Sequence, residues 1–319
     1  MKRIKGVVWA LICLVAFIGA VWIGADYRRD VDAARERLAT GSQIAETRCG
    51  PIEYAVAGEG PPVLVVHGAG GGFDQGLIIG APLVKAGFRV IAVSRFGYLR
   101  TPLPQDASAA AQADAHACLL DALGIPRTAI LGASAGAPSA MQFAIRHPER
   151  CRALVLLVPA TFMPRSGEEP SVKRPPGLVA LFSTLLRSDF LFWLAPHISR
   201  AAVEKAIMGT PPAVVEQASP AEQARMLQMI DQIMPVSPRR LGLLNDGAVV
   251  TTLPRYDLER IDAPTLVIDA ADDLYGFYAG AQYTAAHIPG ARFVGYPTGG
   301  HMLIGRQDEI EAQITAFLR

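Results

Sequence analysis

Charged residues are scarce in this sequence, and neither sign dominates. Only 18% of the 319 residues are Asp, Glu, Lys or Arg, and the formal net charge is +1. Because a protein that binds nucleic acid needs a broad basic surface, nucleic acid is excluded as a partner. The chain also lacks internal repeats and long low-complexity tracts. Its length suits one large domain with an insertion, or two modest domains.

Cysteine is rare, and its spacing is not that of a metal site. Cys13 lies in an apolar N-terminal run, and Cys49, Cys118 and Cys151 are far apart in the chain. Buried free thiols are expected for these three, and one disulfide among them is the alternative in an oxidising compartment. Neither a metal ion nor an organic cofactor is predicted.

One long apolar run is present, at the N-terminus. Residues 6–25 contain no charged side chain, and the charges around them are Lys2, Arg3, Lys5, Asp26, Arg28 and Arg29. A helix of this length spans roughly 30 Å, the thickness of a membrane's hydrocarbon core. We predict an uncleaved single-pass membrane anchor; a cleaved signal peptide and a buried globular helix are the alternatives. The positive-inside rule favours a cytoplasmic N-terminus and an extracytoplasmic location, periplasmic or extracellular, for the rest.

Apolar strands and amphipathic helices alternate along most of the remaining chain. This alternation predicts an α/β fold, a mostly parallel sheet flanked by helices. The alternation stops near residue 162 and resumes near residue 256, and the pattern between them is mostly helical, which predicts an inserted helical cap. The predicted organisation is an anchor at 1–25, a linker at 26–42, a first core part at 43–161, a cap at 162–255 and a second core part at 256–319.

A serine lies at a strand-to-helix junction in the stretch AILGASAGAPSA, residues 129–140. Ser134 follows an apolar strand, with Gly132 and Gly136 two residues to either side. In a sharp turn of this kind, the neighbours two residues before and after the serine must be small, and the G-x-S-x-G spacing meets this need. The helix start adds backbone N–H groups near the hydroxyl. A serine that only caps the helix is the alternative.

Groups that could activate this serine follow later in the chain. Asp269, Asp272 and Asp273 lie at and just beyond the end of a buried strand, and His301 lies in a glycine loop after the next strand. Because sites in α/β sheets form at the carboxyl edge, we expect nucleophile, base and carboxylate to meet there. Four other histidines lie in helical contexts and are expected to be surface or packing residues: His116, His147, His197 and His287.

A glycine-rich loop, HGAGGG at residues 67–72, follows another apolar strand. It lacks the lysine of a phosphate-binding loop, so that function is disfavoured. Glycines let backbone approach a substrate closely, and preorganised N–H groups stabilise an oxyanion. We predict Ala69 or Gly70 as one oxyanion donor and Ala135, next to the serine, as the second. His67 is expected to organise the loop.

Together these motifs resemble the α/β-hydrolase superfamily in its capped form, from about residue 43 to 319. The matching stretches are HGAGGG, SRFGYLRTP at residues 94–102, GASAG at the serine, DAADD after the acid strand and GGH at the base. The resemblance favours Asp273 as the acid, with Asp272 next, and leaves Asp269 a structural role. Ser94 replaces the aspartate that the family often has there, so hydrogen bonding in that loop is expected to differ.

The resemblance implies a serine hydrolase that forms an acyl-serine intermediate, with Ser134 as nucleophile, His301 as base and Asp273 as orienting acid. A carboxylesterase-like enzyme that acts on a small apolar acyl substrate is the preferred function. A carbon–carbon bond hydrolase and a haloperoxidase-like esterase are alternatives within the family. A non-catalytic binding module is the alternative from another class.

The predicted cap is rich in apolar residues. Helices are predicted within it at Val179–Leu194 and Ala221–Met234, and its methionines include Met208, Met226, Met229 and Met234. Ordinary packing is their expected role, and an apolar acyl pocket facing Ser134 is the alternative. Contact of Leu181–Leu194 with the membrane, beside the anchor, is a further alternative.

Overall fold

The computed structural model describes residues 2–163 and 184–319, which form an eight-stranded sheet with helices on both faces. The strands are β1 (Gln43–Thr47), β2 (Gly50–Ala57), β3 (Pro62–Val66), β4 (Arg89–Val93), β5 (Thr128–Ala133), β6 (Cys151–Leu157), β7 (Thr265–Ala270) and β8 (Arg292–Tyr296). The helices are α1 (Lys2–Ala39), α2 (Phe73–Lys85), α3 (Ala109–Ala122), α4 (Ala137–Arg146), α5 (Asp189–Ile198), α6 (Arg200–Ala206), α7 (Pro212–Glu216), α8 (Pro220–Asp231), α9 (Arg240–Thr251), α10 (Tyr278–His287) and α11 (Gln307–Leu318).

The strand order is β1-β2-β4-β3-β5-β6-β7-β8, and the sheet is mostly parallel. Strands β1 and β2 pair antiparallel with their neighbours, whereas β3 to β8 all run in the same direction. The predicted α/β fold is confirmed. The loops after β3, β5, β7 and β8 therefore lie at one edge of the sheet.

The central strands β3 to β7 are buried on both faces of the sheet, which explains why they are nearly continuous apolar runs. In β3, Val63 and Val65 face an apolar cluster shared with α2 and α11. Leu64 and Val66 alternate with them and face the cluster shared with α3, α4 and α10. All four side chains are fully buried. The two clusters hold the sheet rigidly between its helices.

The described residues between β6 and β7 contain helices and no strand, as expected for a helical insertion. We call residues 184–251 the cap. The predicted helix Val179–Leu194 is wrong in its described part, because the chain turns at Leu186 and Arg187 and Ser188 then caps α5. Residues 179–183 lie outside the described residues. The four methionines are buried in an apolar cluster of the cap, which matches a packing role: Met208, Met226, Met229 and Met234.

Helix α1 is continuous across the predicted boundary between anchor and linker, and its two halves differ. Apolar side chains between residues 11 and 23, in the first half, project outward, with Phe17 and Trp22 each 67% exposed. In the second half, residues spaced by three and four pack against the cap and the sheet: Tyr27, Val31, Ala34 and Leu38. Among the described residues, α1 is the one helix long and apolar enough to cross a membrane, a test that a signal sequence also passes. The predicted domain boundaries stay predictions.

Two of the three scattered cysteines are paired. Cys49, in the turn between β1 and β2, is disulfide-bonded to Cys118 on α3, and their Cα atoms are 6.1 Å apart. Cys151 is a buried free thiol. The expectation of three free thiols is therefore wrong for Cys49 and Cys118, because packing of α3 on β1 brings together residues separated by 69 positions.

Candidate active site

Ser134 lies in the tight turn between β5 and α4. Its φ of +49° is in the left-handed region, which residues with side chains rarely adopt. A Cβ on Gly132 would lie 2.6 Å from the Cβ of Ala140, and a Cβ on Gly136 would lie 2.5 Å from the carbonyl oxygen of Val66. Both glycines are therefore required by packing, and they allow the strand to turn directly into the helix with the hydroxyl at the bend.

The structure brings Ser134, His301 and Asp273 together in one hydrogen-bonded chain. Ser134 Oγ is 2.8 Å from His301 Nε2, and His301 Nδ1 is 2.8 Å from Asp273 Oδ2. The second carboxylate oxygen of Asp273 accepts a hydrogen bond from the N–H of Tyr275 at 2.8 Å. Because Asp273 accepts the Nδ1 proton, Nε2 of a neutral His301 ring faces the hydroxyl as an acceptor. This arrangement can transfer the serine proton to the ring.

The two neighbouring aspartates have other partners. Asp272 accepts a hydrogen bond from the N–H of Gly300 at 2.7 Å, which fixes the loop that carries His301. Asp269 is fully buried at the end of β7, and one of its carboxylate oxygens has no hydrogen-bond partner. Burial and the nearby negative charge of Asp273 raise the pKa of Asp269 to about 8. The protonated form of Asp269 is therefore favoured at neutral pH, which limits the negative charge beside Asp273.

A cap segment closes over His301. The carbonyl oxygen of Gly209 accepts hydrogen bonds from the N–H groups of His301 and Leu274, at 3.2 and 2.9 Å. The rings of Tyr275 and Phe277 lie beside the imidazole, with centroids 4.7 and 6.1 Å from it. His301 is consequently only 4% exposed. Its ring is held in one orientation and is shielded from bulk water.

The three predicted oxyanion donors differ in their partners. The N–H of Ala69 has no acceptor in the described part of the chain. Ala135 lies in the first turn after Ser134, where backbone N–H groups lack partners within the helix. The N–H of Gly70, in contrast, donates to the hydroxyl of Tyr98 at 3.2 Å. Because the hydroxyl of Tyr98 occupies the N–H of Gly70, Ala69 is the better placed of the two loop donors, and the oxyanion assignment stays a prediction.

His67 holds the glycine loop from within the core. Its Nδ1 lies 2.7 Å from the carbonyl oxygen of Gly68, and its Nε2 accepts a hydrogen bond from the N–H of Arg95 at 3.0 Å. One nitrogen donates and the other accepts, so the ring is neutral. Burial, followed by the charge of Arg95, lowers the pKa of His67 well below its usual value. His67 thus organises the loop, as expected.

A buried ion pair, which sequence analysis missed, joins the cap to this loop. Arg95 binds both carboxylate oxygens of Asp246 on α9, at 2.6 and 2.7 Å, and also donates to the carbonyl oxygen of Gly68. Tyr98 donates its hydroxyl hydrogen to Asp246 and accepts from Gly70. The departure from the family pattern at Ser94 and Arg95 indicated that hydrogen bonding in this loop would differ. Nothing in the sequence distinguished Asp246, the partner of Arg95, from the other aspartates of the cap.

Ser94 stands where the family often has an aspartate, and a glutamate on β2 supplies a carboxylate at this place. The hydroxyl of Ser94 donates to Glu53 at 2.8 Å and accepts from the N–H of Phe73 at 3.0 Å. Glu53, on β2, is 1% exposed and also accepts a hydrogen bond from Arg100 at 2.7 Å. The carboxylate of Glu53 is therefore present next to this loop. Ser94 connects it to the start of α2, because its hydroxyl donates to Glu53 and accepts from the N–H of Phe73.

Comparison with known proteins identifies the class. A sequence profile of the alpha/beta hydrolase fold family matches residues 61–305, and the chain therefore belongs to this family. It is similar to the uncharacterised hydrolase YcgS of Bacillus subtilis, with 27% identity over 266 residues, which cover 80% of this chain and 89% of that protein.

Two further relatives add detail. A 2-hydroxy-6-oxo-6-phenylhexa-2,4-dienoate hydrolase of Comamonas testosteroni is 36% identical over 113 residues, 34% of this chain. The match spans only 40% of that relative's length. Among solved structures, an alpha/beta hydrolase fold protein from Nakamurella multipartita has a TM-score of 0.66 and 28% identity, and the alignment covers 87% of this chain and 99% of that chain.

Replacement of Asp269 by asparagine is expected to stabilise the fold in a pH-dependent way. The pKa of Asp269 is about 8 in the folded protein and about 3.8 in the unfolded chain. Between these pH values the folded state binds more protons than the unfolded state, so the wild type loses stability as the pH rises. Asp269→Asn carries no titrating group and escapes this loss. Thermal melting should show a higher Tm than wild type at pH 8 and no gain at pH 4. An equal shift at both pH values would contradict the protonated state of Asp269.

Removal of the negative charge of Asp246 is expected to destabilise the protein strongly. In Asp246→Asn, Arg95 becomes a buried charge without its counter-ion, a loss of about 3–5 kcal/mol in the free energy of unfolding. Chemical denaturation of the full chain in detergent measures this loss. Asp257→Asn is the control, because Asp257 is 70% exposed and should change stability by less than about 0.5 kcal/mol. A similar result for both variants would show that the buried pair is unimportant.

Proposed function

We propose that the protein is a serine hydrolase that cleaves carboxylic esters or related acyl bonds of a small apolar molecule. The observation that carries this proposal is the 2.8 Å contact between Ser134 Oγ and His301 Nε2, with Asp273 at the other ring nitrogen. Membership of the alpha/beta hydrolase fold family supports a hydrolytic reaction.

The proposed mechanism proceeds through an acyl-enzyme. His301 takes the proton of Ser134 as Oγ attacks the substrate carbonyl, and Asp273 stabilises the resulting imidazolium. The N–H groups of Ala69 and Ala135 donate to the oxyanion of the tetrahedral intermediate. His301 then gives its proton to the leaving alcohol, which leaves an acyl-serine. Water, deprotonated by the same Nε2, hydrolyses this ester and restores the free hydroxyl.

The surroundings of the serine support an apolar substrate. Ile233 of the cap packs over the glycine loop, and a Cβ on Gly70 would lie 3.3 Å from it. On the other side, the rings of Tyr275 and Phe277 lie against His301. Apolar walls with a few directed polar groups are typical of small-molecule sites.

Ser134→Ala and His301→Ala should each abolish turnover of p-nitrophenyl esters without a large change in Tm. The nucleophile or the base is lost, but neither side chain contributes to the two clusters that hold the sheet. A fluorophosphonate probe should label the wild type and fail to label Ser134→Ala. A folded wild type that neither hydrolyses esters nor reacts with the probe would favour a binding module.

The two candidate acids are distinguished by a matched pair of variants. Asp273→Asn should lower kcat by roughly 10³- to 10⁴-fold, because the amide cannot hold His301 in the required tautomer. Asp272→Asn should lower kcat by less than about tenfold, because it weakens only one hydrogen bond to the loop. The reverse order in a steady-state ester assay would reassign the acid to Asp272.

Hydrolysis of a carbon–carbon bond is the second candidate function. The observation that favours it is the similarity to a relative named as a 2-hydroxy-6-oxo-6-phenylhexa-2,4-dienoate hydrolase. The same nucleophile and base would serve this reaction, and the cap would select the substrate. Turnover of short p-nitrophenyl esters, without activity on ring-fission products of this class, would exclude it.

We also propose that α1 is retained as a membrane anchor and that the rest of the protein is extracytoplasmic. The exposed apolar surface of its first half supports the anchor, and its buried second half ties the anchor to the cap. The pairing of Cys49 with Cys118 supports an oxidising compartment, because disulfides persist there.

Membrane anchoring predicts that the full-length chain stays in the membrane pellet after carbonate extraction. Mass spectrometry of the purified protein should find residues 6–25 intact, because an anchor is not cleaved. In the same sample, Cys49 and Cys118 should react with a thiol reagent only after reduction. A mature N-terminus near residue 25 would identify a signal peptide, and free Cys49 in the native protein would contradict the oxidising compartment.

A further inference from the structure

The anchor helix and the cap are packed together where α1 leaves its apolar run. Tyr27 lies two residues beyond Ala25, the last residue of that run. Its ring contacts Phe190 and Trp193 of α5, with centroids 5.2 and 5.6 Å apart. Nearby, Nε1 of Trp193 donates a hydrogen bond to Asp30 at 3.0 Å. The contact between α1 and α5 is therefore specific and lies at the end of the apolar run.

This position sets the height of α5 above the membrane. A helix rises about 1.5 Å per residue, so the backbone of Tyr27 lies about 3 Å beyond the end of the apolar run. The headgroup layer is roughly 5–8 Å thick on each side of the hydrocarbon. The part of α5 that packs against Tyr27, at Phe190 and Trp193, consequently lies at the level of the headgroups. Tyrosine and tryptophan are enriched at this level, and both are present in the contact.

The outer face of α5 is apolar. Phe192 and Trp193 are buried against the cap cluster and α1, whereas Leu191 is 37% and Ile198 is 75% exposed. Leu194, which is partly buried and also packs against the cap cluster, lies between them, since positions 191, 194 and 198 are spaced by three and four residues. Such a stripe is unfavourable in water but suits the boundary between headgroups and acyl chains.

We propose that the stripe of Leu191, Leu194 and Ile198 docks onto the lipid bilayer in which α1 is anchored. The inference rests on the proposed membrane anchor and extends it, because it adds a second contact through the cap. Two contacts, one spanning and one interfacial, fix the orientation of the cap relative to the membrane. We assign lipid as the occupant of the stripe because α5 packs against α1 at Tyr27, only two residues beyond the end of the apolar run.

Depth-dependent fluorescence quenching tests this contact in the full chain. Each position is replaced by cysteine on a Cys13→Ser background and labelled with bimane, and the protein is reconstituted in phosphatidylcholine vesicles containing brominated lipid. Three exposed positions are compared: Ile198 on the stripe, Val21 in the anchor and Ile44 on β1. Ile44 follows the end of α1, which rises about 21 Å between Ala25 and Ala39.

We expect brominated lipid to quench bimane at positions 198 and 21 at least twofold and to leave position 44 unchanged. Quenching at 21 without quenching at 198 would overturn the docking of α5 and leave the anchor intact. Absence of quenching at both positions would overturn the proposed anchor and the inference together. Melting of each labelled protein is compared with wild type, and Leu191→Cys provides a second position on the stripe if Ile198→Cys does not fold.

Discussion

The structure depends on one constraint, the common direction of strands β3 to β8. Hydrogen-bonded strands are fixed about 4.8 Å apart, and parallel strands present their carboxyl ends at the same edge. The loops after β3, β5, β7 and β8 carry Ala69, Ser134, Asp273 and His301 to that edge. Ser134 and His301, which are 167 positions apart, can then form a contact of 2.8 Å, because two buried apolar clusters hold the sheet in place.

Buried charges hold the glycine loop in place from several directions. Arg95 connects it to Asp246 of the cap, and Arg239 of the cap binds both Asp74 and the carbonyl oxygen of Gly71. Charges buried in this way are expensive unless they are paired, so each pair favours one arrangement of cap and loop. In the second half of α1, Arg37 lies 3.8 Å from the same Asp74 and donates to the cap at Met234. Helix, cap and loop are therefore parts of one unit.

Family membership supports a hydrolytic reaction, and the geometry of Ser134, His301 and Asp273 supports a serine nucleophile. The alpha/beta hydrolase fold family supports hydrolysis, and many reactions in such a fold share a nucleophile and a base. Discrimination between an ester and a carbon–carbon bond depends on the residues that surround the substrate. In this chain the cap lies over His301 at Gly209 and over the glycine loop at Ile233.

The sequence by itself determined the features that local spacing encodes. It predicted the strand-to-helix turn at Ser134, the alternation of the α/β core and the apolar run of α1, because each follows from the periodicity or size of nearby residues. Only the tertiary structure decided which aspartate faces His301, that Tyr98 occupies the N–H of Gly70, and that Cys49 pairs with Cys118. The same holds for the cap contacts of Arg95 and Tyr27. These contacts join residues that are far apart in the chain. Which residues meet depends on how helices and loops pack, and a short sequence pattern does not contain that information.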